Sequence, residues 1–275
     1  MAGKVLGLLL AGLTAAWLSA CGGDEGRAGG EPVTAADTAR LRSVLRSDPT
    51  NAALRLRLAE RLAALGRRGE AVGLLTEGIA VDSGAVGLWN ARSLLLAELG
   101  DTSAALAGWS WSLRLEPGQR EAWLELGFLH AGRGDVEAAD IARRLLRGSR
   151  DAEERLQAWH LTGVYHANRG EAAAAIAAFD SCMLLRYTFL DAYIEKGILL
   201  QGEGRHREAL ATFRLASTVD KSNPDAWHGQ AGSLEALGEL PAAADAYARA
   251  LALDTSLRAA RRGLERTAAE GMRDP

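Results

Sequence analysis

The sequence has 275 residues, is 48% hydrophobic and 5% aromatic, and carries a formal net charge of −3. A chain this close to neutrality has no basic field to attract nucleic acid. Lysine occurs only at Lys4, Lys196 and Lys221, so nearly all its positive charge is arginine. Residues 1–20 open with one positive side chain, Lys4, followed by the almost wholly apolar run Val5 to Trp17 and then Leu18-Ser19-Ala20-Cys21. A charged start, a short apolar core and a small-residue cleavage site predict a secretory signal, not a spanning helix. Residues 21–34 are rich in glycine and charge without helical periodicity, which predicts a flexible tether. Residues 35–51 hold a segment patterned like the second helix of the units that follow.

From 52 to 257 the chain repeats. Gly66, Gly100, Gly134, Gly170, Gly204 and Gly238 are 34 residues apart except for one interval of 36. Ala71, Ala105, Ala139, Ala175, Ala209 and Ala243 keep the same spacing, and Trp89, Trp123, Trp159, Tyr193 and Trp227 run in register ahead of the glycines. In the unit Leu190 to Asn223, Tyr193, Ile194, Gly197 and Leu200 follow helical spacing up to Gly204, where a left-handed residue ends a helix at no cost to glycine. Ala209, Phe213, Ala216 and Val219 then predict a second helix, and Pro224 opens the next unit. Each helix pair leaves an apolar face that only a neighbouring pair can cover. Residues 258–275 predict a polar terminal helix, about Arg258 to Glu270, with Arg261, Arg262, Glu265 and Arg266 on its open side, and a short tail.

These features resemble the tetratricopeptide repeat family, whose pattern of Trp, Leu-Gly, Tyr, Ala, Phe and Pro is matched in pieces by Trp123, Leu126-Gly127, Ala139, Trp159, Gly163, Ala175 and Phe179, with Glu116-Pro117 and Asp48-Pro49 matching its closing dipeptide. The resemblance implies an all-α superhelical solenoid of six helix-turn-helix repeats closed by a C-terminal capping helix. One unit departs from the pattern. Arg143 stands where the large second-helix aromatic belongs, and the two extra residues lie between Ala139 and Trp159. Gly148-Ser149-Arg150-Asp151 reads there as a lengthened turn, or as a seam at which the solenoid bends.

Leu18-Ser19-Ala20-Cys21 is similar to the lipobox of bacterial lipoproteins. The resemblance implies cleavage before Cys21, a diacylglyceryl group on its sulfur and an acylated amine, and several acyl chains together anchor stably. Cys182 is then left without a disulfide partner. Gly22, rather than an acid, follows the cysteine, which implies an outer-membrane protein facing the periplasm if the cell is diderm.

No catalytic set emerges. His130, His160, His166, His206 and His228 form no metal-binding spacing, Cys182 takes the place of a small second-helix alanine, and there is no phosphate loop or nucleophile elbow. The chain is therefore read as a non-enzyme needing neither cofactor nor metal. In the family the first helices line a protein-binding groove. Carried over by register, its centre comprises Leu56 and Glu60, Asn90 and Leu94, Leu124 and Phe128, His160 and Val164, Ile194 and Ile198, and His228 and Gly232. Leu94, Leu124, Phe128, His160, Val164, Ile194 and Ile198 are the expected contact residues. Glu121, Asp191 and Asp225 form an acidic rim, with Glu125 and Glu195 nearby. Some of these side chains could instead pack between helices. Trp111, on the outward side of its helix, is either a second contact or a packing residue.

The layout resembles the lipid-anchored pilotins of type IV pili, which implies an envelope scaffold for a secretin or pilus component. An adaptor for peptidoglycan hydrolases or synthases is the alternative, and a glycan-binding protein or enzyme the third class.

Overall fold

The computed structural model describes residues 35–271. The secretory segment, Cys21, the tether and the last four residues lie outside the described residues. Fourteen α-helices and no strand occur among the described residues: α1 (Ala35–Ser47), α2 (Ala52–Ala64), α3 (Arg68–Val81), α4 (Val86–Glu98), α5 (Thr102–Leu115), α6 (Arg120–Arg133), α7 (Glu137–Gly148), α8 (Ala152–Asn168), α9 (Ala172–Leu185), α10 (Leu190–Gly202), α11 (His206–Val219), α12 (Pro224–Ala236), α13 (Leu240–Leu253) and α14 (Arg258–Gly271). They form two compact units that divide after Gly132.

Each first helix ends at one of the periodic glycines, and all six glycines adopt positive φ. At Gly66, Gly100, Gly170, Gly204 and Gly238 the glycine N–H donates to the carbonyl three residues back. The following N–H donates to the carbonyl five back, as from Arg67 to Leu62 at 2.9 Å. This paired closure satisfies carbonyls that a helix end would leave without partners and turns the chain into the second helix.

A second recurring contact fixes the turn before each first helix. The indole N–H of Trp89 donates to the Ser83 carbonyl, six residues back, at 2.9 Å. Trp123 reaches Pro117 at 3.0 Å, the Tyr193 hydroxyl reaches Tyr187 at 2.9 Å, and Trp227 reaches Lys221 at 3.0 Å. Arg55 and Arg261 occupy the same register position at the two ends of the repeat array. Their guanidinium groups make the same bond, to Pro49 at 3.0 Å and to Thr255 at 2.9 Å. What the position requires is a long side chain bearing a donor. The terminal helix α14 thus takes the register of a further first helix.

Packing within a repeat depends on close approach. In the second unit Phe213 of α11 is buried between Gly197 of α10 and Gly229 of α12, and a Cβ at either glycine would overlap its ring. Phe179 meets Gly163 in the same way, and Tyr247 meets Gly263. The first unit inverts this arrangement. Gly78 and Gly108 sit on the second helices, facing Arg55 and Leu88 in one case and Ser93 in the other.

The irregular repeat departs from the sequence expectation twice. Its turn is not lengthened: three residues, 149–151, separate α7 from α8, where the other repeats have four. The extra residues extend α8 by a turn at its start, making it a 17-residue helix. The Asp151 carboxylate caps the Glu154 N–H at 2.8 Å while the Glu154 carboxylate accepts from the Arg150 N–H at 2.5 Å, a reciprocal box that starts the helix early. Six residues before Trp159 the chain is now helical, at Glu153. In α7 the buried stripe is Ala138, Ile141, Ala142 and Leu145, one residue ahead of the register that would have buried Ala139 and Arg143. Burying a guanidinium without compensation is costly, so the helix is turned to leave Arg143 exposed and paired with Asp140.

Two tests follow. No atom lies within 4 Å of a Cβ built at Gly66 or Gly73, so alanine there probes backbone conformation alone. Gly66→Ala, at φ +75°, is expected to destabilise by about 1–2 kcal/mol, and Gly73→Ala, inside α3, to stabilise by about 1 kcal/mol, both read by thermal or urea melting of the helical signal. Phe213→Ala, which empties the space between two glycines, is expected to cost about 3–5 kcal/mol in the same measurement.

A candidate protein-binding face

Neighbouring first helices lie side by side, α2 with α4 in the first unit, and α10 with α12 and α12 with α14 in the second. Their shared outer face is where the sequence places contact residues, and burial divides that set. Leu94, Phe128, His160 and Val164 are only 5%, 4%, 3% and 1% exposed. They are core residues, and a partner cannot reach them without opening the fold. Leu124 and Ile194 are half-buried, and Ile198 is 50% exposed. Of the acidic rim, Glu121 and Asp191 are exposed and Asp225 is half-buried.

The buried polar members have structural partners. Asn90 donates to Gln119 at 2.5 Å and accepts from the Ser112 hydroxyl at 2.5 Å, while Gln119 donates to the Glu116 carbonyl at 3.0 Å. This network ties the end of α5 to α4. His160 Nε2 lies 3.5 Å from the Glu195 carboxylate, bridging the first helices of two repeats, with the Phe189 ring edge-on at 5.0 Å. Burial pushes the Cys182 thiol up to about 12, and its Sγ points at the Leu156 carbonyl, so it is held as an unreactive thiol. Burial also raises the Glu60 carboxyl, opposed by Arg61 and Arg57.

Trp111 is 42% exposed, and its ring packs on Trp89 with centroids 5.9 Å apart, under the Arg114 guanidinium. The same pair of register positions carries Arg249 over Trp227, and the ion pair Arg55–Glu77 at 3.7 Å. Trp111 therefore belongs to a recurring clasp between the two helices of one repeat.

Across α10, α12 and α14 the open face is Asp191, Ile194 and Ile198, then Asp225, His228 and Gly232, then Arg262. A Cβ at Gly232 would meet Gln201 at 3.2 Å and the Tyr247 hydroxyl at 3.8 Å, so the glycine lets these side chains pack against α12. Gln201 of α10 donates to the Gly229 carbonyl and Ser233 hydroxyl of α12, both at 2.9 Å. One repeat further, Glu235 of α12 accepts from Arg266 of α14 at 2.8 and 2.9 Å, and from Tyr247 at 2.5 Å. Arg266 first and Tyr247 second hold the Glu235 carboxyl below its ordinary range against the effect of burial. Sequence reasoning assigned α14 a capping role only. Arg262 lies 34 residues after His228, so the repeat register itself places it on the first-helix face.

Tandem helix pairs closed by left-handed glycines, with an open first-helix face, define a helical-repeat protein. The tetratricopeptide repeat profile matches residues 90–153 and 194–266, and the chain belongs to that family. Its fold is the all-α tetratricopeptide solenoid. A tetratricopeptide repeat protein from Parabacteroides merdae ATCC 43184 is 19% identical with a TM-score of 0.69, over 84% of this chain and 90% of that one. PilW, described as a widely conserved type IV pilus biogenesis factor, is 17% identical with a TM-score of 0.64, over 79% and 99%. Yeast Tom70 is 12% identical with a TM-score of 0.61, over 86% and 58%. No curated protein matches the sequence significantly. No helix among the described residues is long and apolar enough to cross a membrane.

One buried acid yields a pH test. Burial raises the Glu125 carboxyl from 4.5 to about 7. The folded chain therefore holds this proton more tightly than the unfolded chain, so the contribution of Glu125 to stability is fully present below about pH 4.5 and is lost as pH rises through about 7. Glu125→Gln is expected to flatten that fall and to stabilise the protein at pH 8 by up to about 3 kcal/mol, measured by urea melts across pH.

Proposed function

We propose that this protein is a lipid-anchored scaffold of the bacterial envelope, tethered through Cys21 at the outer membrane and facing the periplasm. In this reading it holds another envelope protein on its first-helix face and assists the assembly or localisation of a pilus or secretin complex. The observation that carries the reading is Leu18-Ser19-Ala20-Cys21 and a glycine-rich tether placed directly ahead of a tetratricopeptide solenoid. Anchor and tether hold the solenoid at the membrane, and the half-exposed Ile198, two turns along α10 from Asp191, gives it an apolar contact on a face whose helix starts are acidic. The description of PilW as a pilus biogenesis factor, at 79% coverage of this chain, supports the pilus-directed version.

The test has two arms. Cys21→Ser is expected to remove the protein from the membrane fraction, or to leave it unprocessed, and to abolish palmitate incorporation. Unchanged fractionation and labelling would refute the anchor. For the second arm, Ile198→Ser in the lipidated protein is expected to reduce recovery of a pilus or secretin component in a membrane pull-down by tenfold or more, with helicity unchanged. Full recovery would refute the face. Phe128, being core, is unsuitable for this purpose.

A further inference from the structure

The first-helix face of the second unit carries a charge gradient. At its α10 side stand Asp191, exposed, and Glu195, half-buried, and at the start of α12 stands Asp225. At its far side α14 contributes the exposed Arg258 and Arg262, one helical turn apart. Asp191, Asp225, Arg258 and Arg262 have no hydrogen-bond or ion-pair partner among the described residues. Their neighbours are neutralised internally. Lys196 is paired with Asp180 at 2.5 Å, and Arg266 with Glu235 at 2.8 Å. The remaining charge is therefore graded: carboxylates on α10 and α12, and on α14 the guanidinium groups of Arg258 and Arg262 beside one exposed carboxylate, Glu265. Ile194 and Ile198 share α10 with Asp191, and the half-buried His228 lies on α12 between α10 and α14.

We infer that this face takes a bipolar protein segment: a Lys or Arg over Asp191 and Asp225, one or two aliphatic side chains over Ile194 and Ile198, and a carboxylate over Arg262 and Arg258. The inference rests on the protein-binding reading above and adds the partner's charge pattern to it. Charge complementarity selects this occupant. A wholly basic segment is repelled at α14 and a wholly acidic one at α10, and like charges juxtaposed across an interface suppress the wrong partner. Arginine suits the receiving end because its planar fork pairs a carboxylate through two bonds.

The test uses three fluorescein-labelled twelve-residue peptides with the same central Leu-Leu: one with arginines at one end and aspartates at the other, one with arginines at both ends, one with aspartates at both. Fluorescence anisotropy is read with the full processed chain at low and at physiological salt. The bipolar peptide is expected to bind at least tenfold tighter than either of the others, with the preference weakened by salt. Arg262→Glu is expected to transfer the preference to the doubly basic peptide, and Ile198→Ser to weaken all three. Equal binding of the three peptides, no binding of any, or a ranking unchanged by Arg262→Glu would overturn the gradient. If the ranking is flat while Ile198→Ser still abolishes partner recovery from membranes, the gradient fails and the scaffold reading stands. If Ile198→Ser alters neither, the face itself fails.

Discussion

A side chain filling the space left by a missing Cβ on the facing helix sets the separation at which these helices stack. In the second unit the ring of Phe213 reaches two first helices at once because Gly197 and Gly229 leave it room, and Tyr247 is seated on Gly263 by the same device. Dense interiors tolerate little change in volume, so the ring and its glycines act as a spacer repeated along the chain. Where the ring position holds a guanidinium, at Arg143, the spacer is lost. The helix then turns to bury Ala138, Ile141, Ala142 and Leu145 instead.

The turns are held independently of this packing. A left-handed glycine closes each first helix, and a long donor side chain, indole, phenol or guanidinium, reaches back six residues to the carbonyl before the next. Both devices work through backbone groups and leave the outer side chains of the first helices free to vary. That freedom is the link from fold to binding. Ile198 and Arg262 occupy positions that the scaffold does not need for its own stability, whereas Asn90 and His160, on the same nominal face, are drawn into polar contacts between helices.

The helix pairs and their ends were legible because the period of 34 aligns residues of one physical kind: glycines at positive φ, small alanines at crossings, rings at spacers. Other features were not legible, for specific reasons. Arg55 and Arg261 were invisible as members of the tryptophan series because residue type changes while the required donor does not. The two extra residues near 150 could enter a turn or a helix, and Asp151 with Glu154 decided for the helix. The face was only partly readable. Register places Phe128, Val164 and Ile198 at equivalent positions, yet two are closed and one is half exposed. Exposure at such a position depends on the neighbouring side chains in three dimensions, which the linear spacing does not encode.

The central claim is that proteins are held on the first-helix face. Ile198 on that face and Leu215 on the second helix α11 are 50% and 52% exposed, so they present equally accessible apolar sites. A photoreactive phenylalanine introduced at each position in living cells, followed by irradiation and recovery of adducts, compares the two directly. The account predicts a protein adduct from position 198 and none above background from 215. Adducts from 215 alone would contradict it.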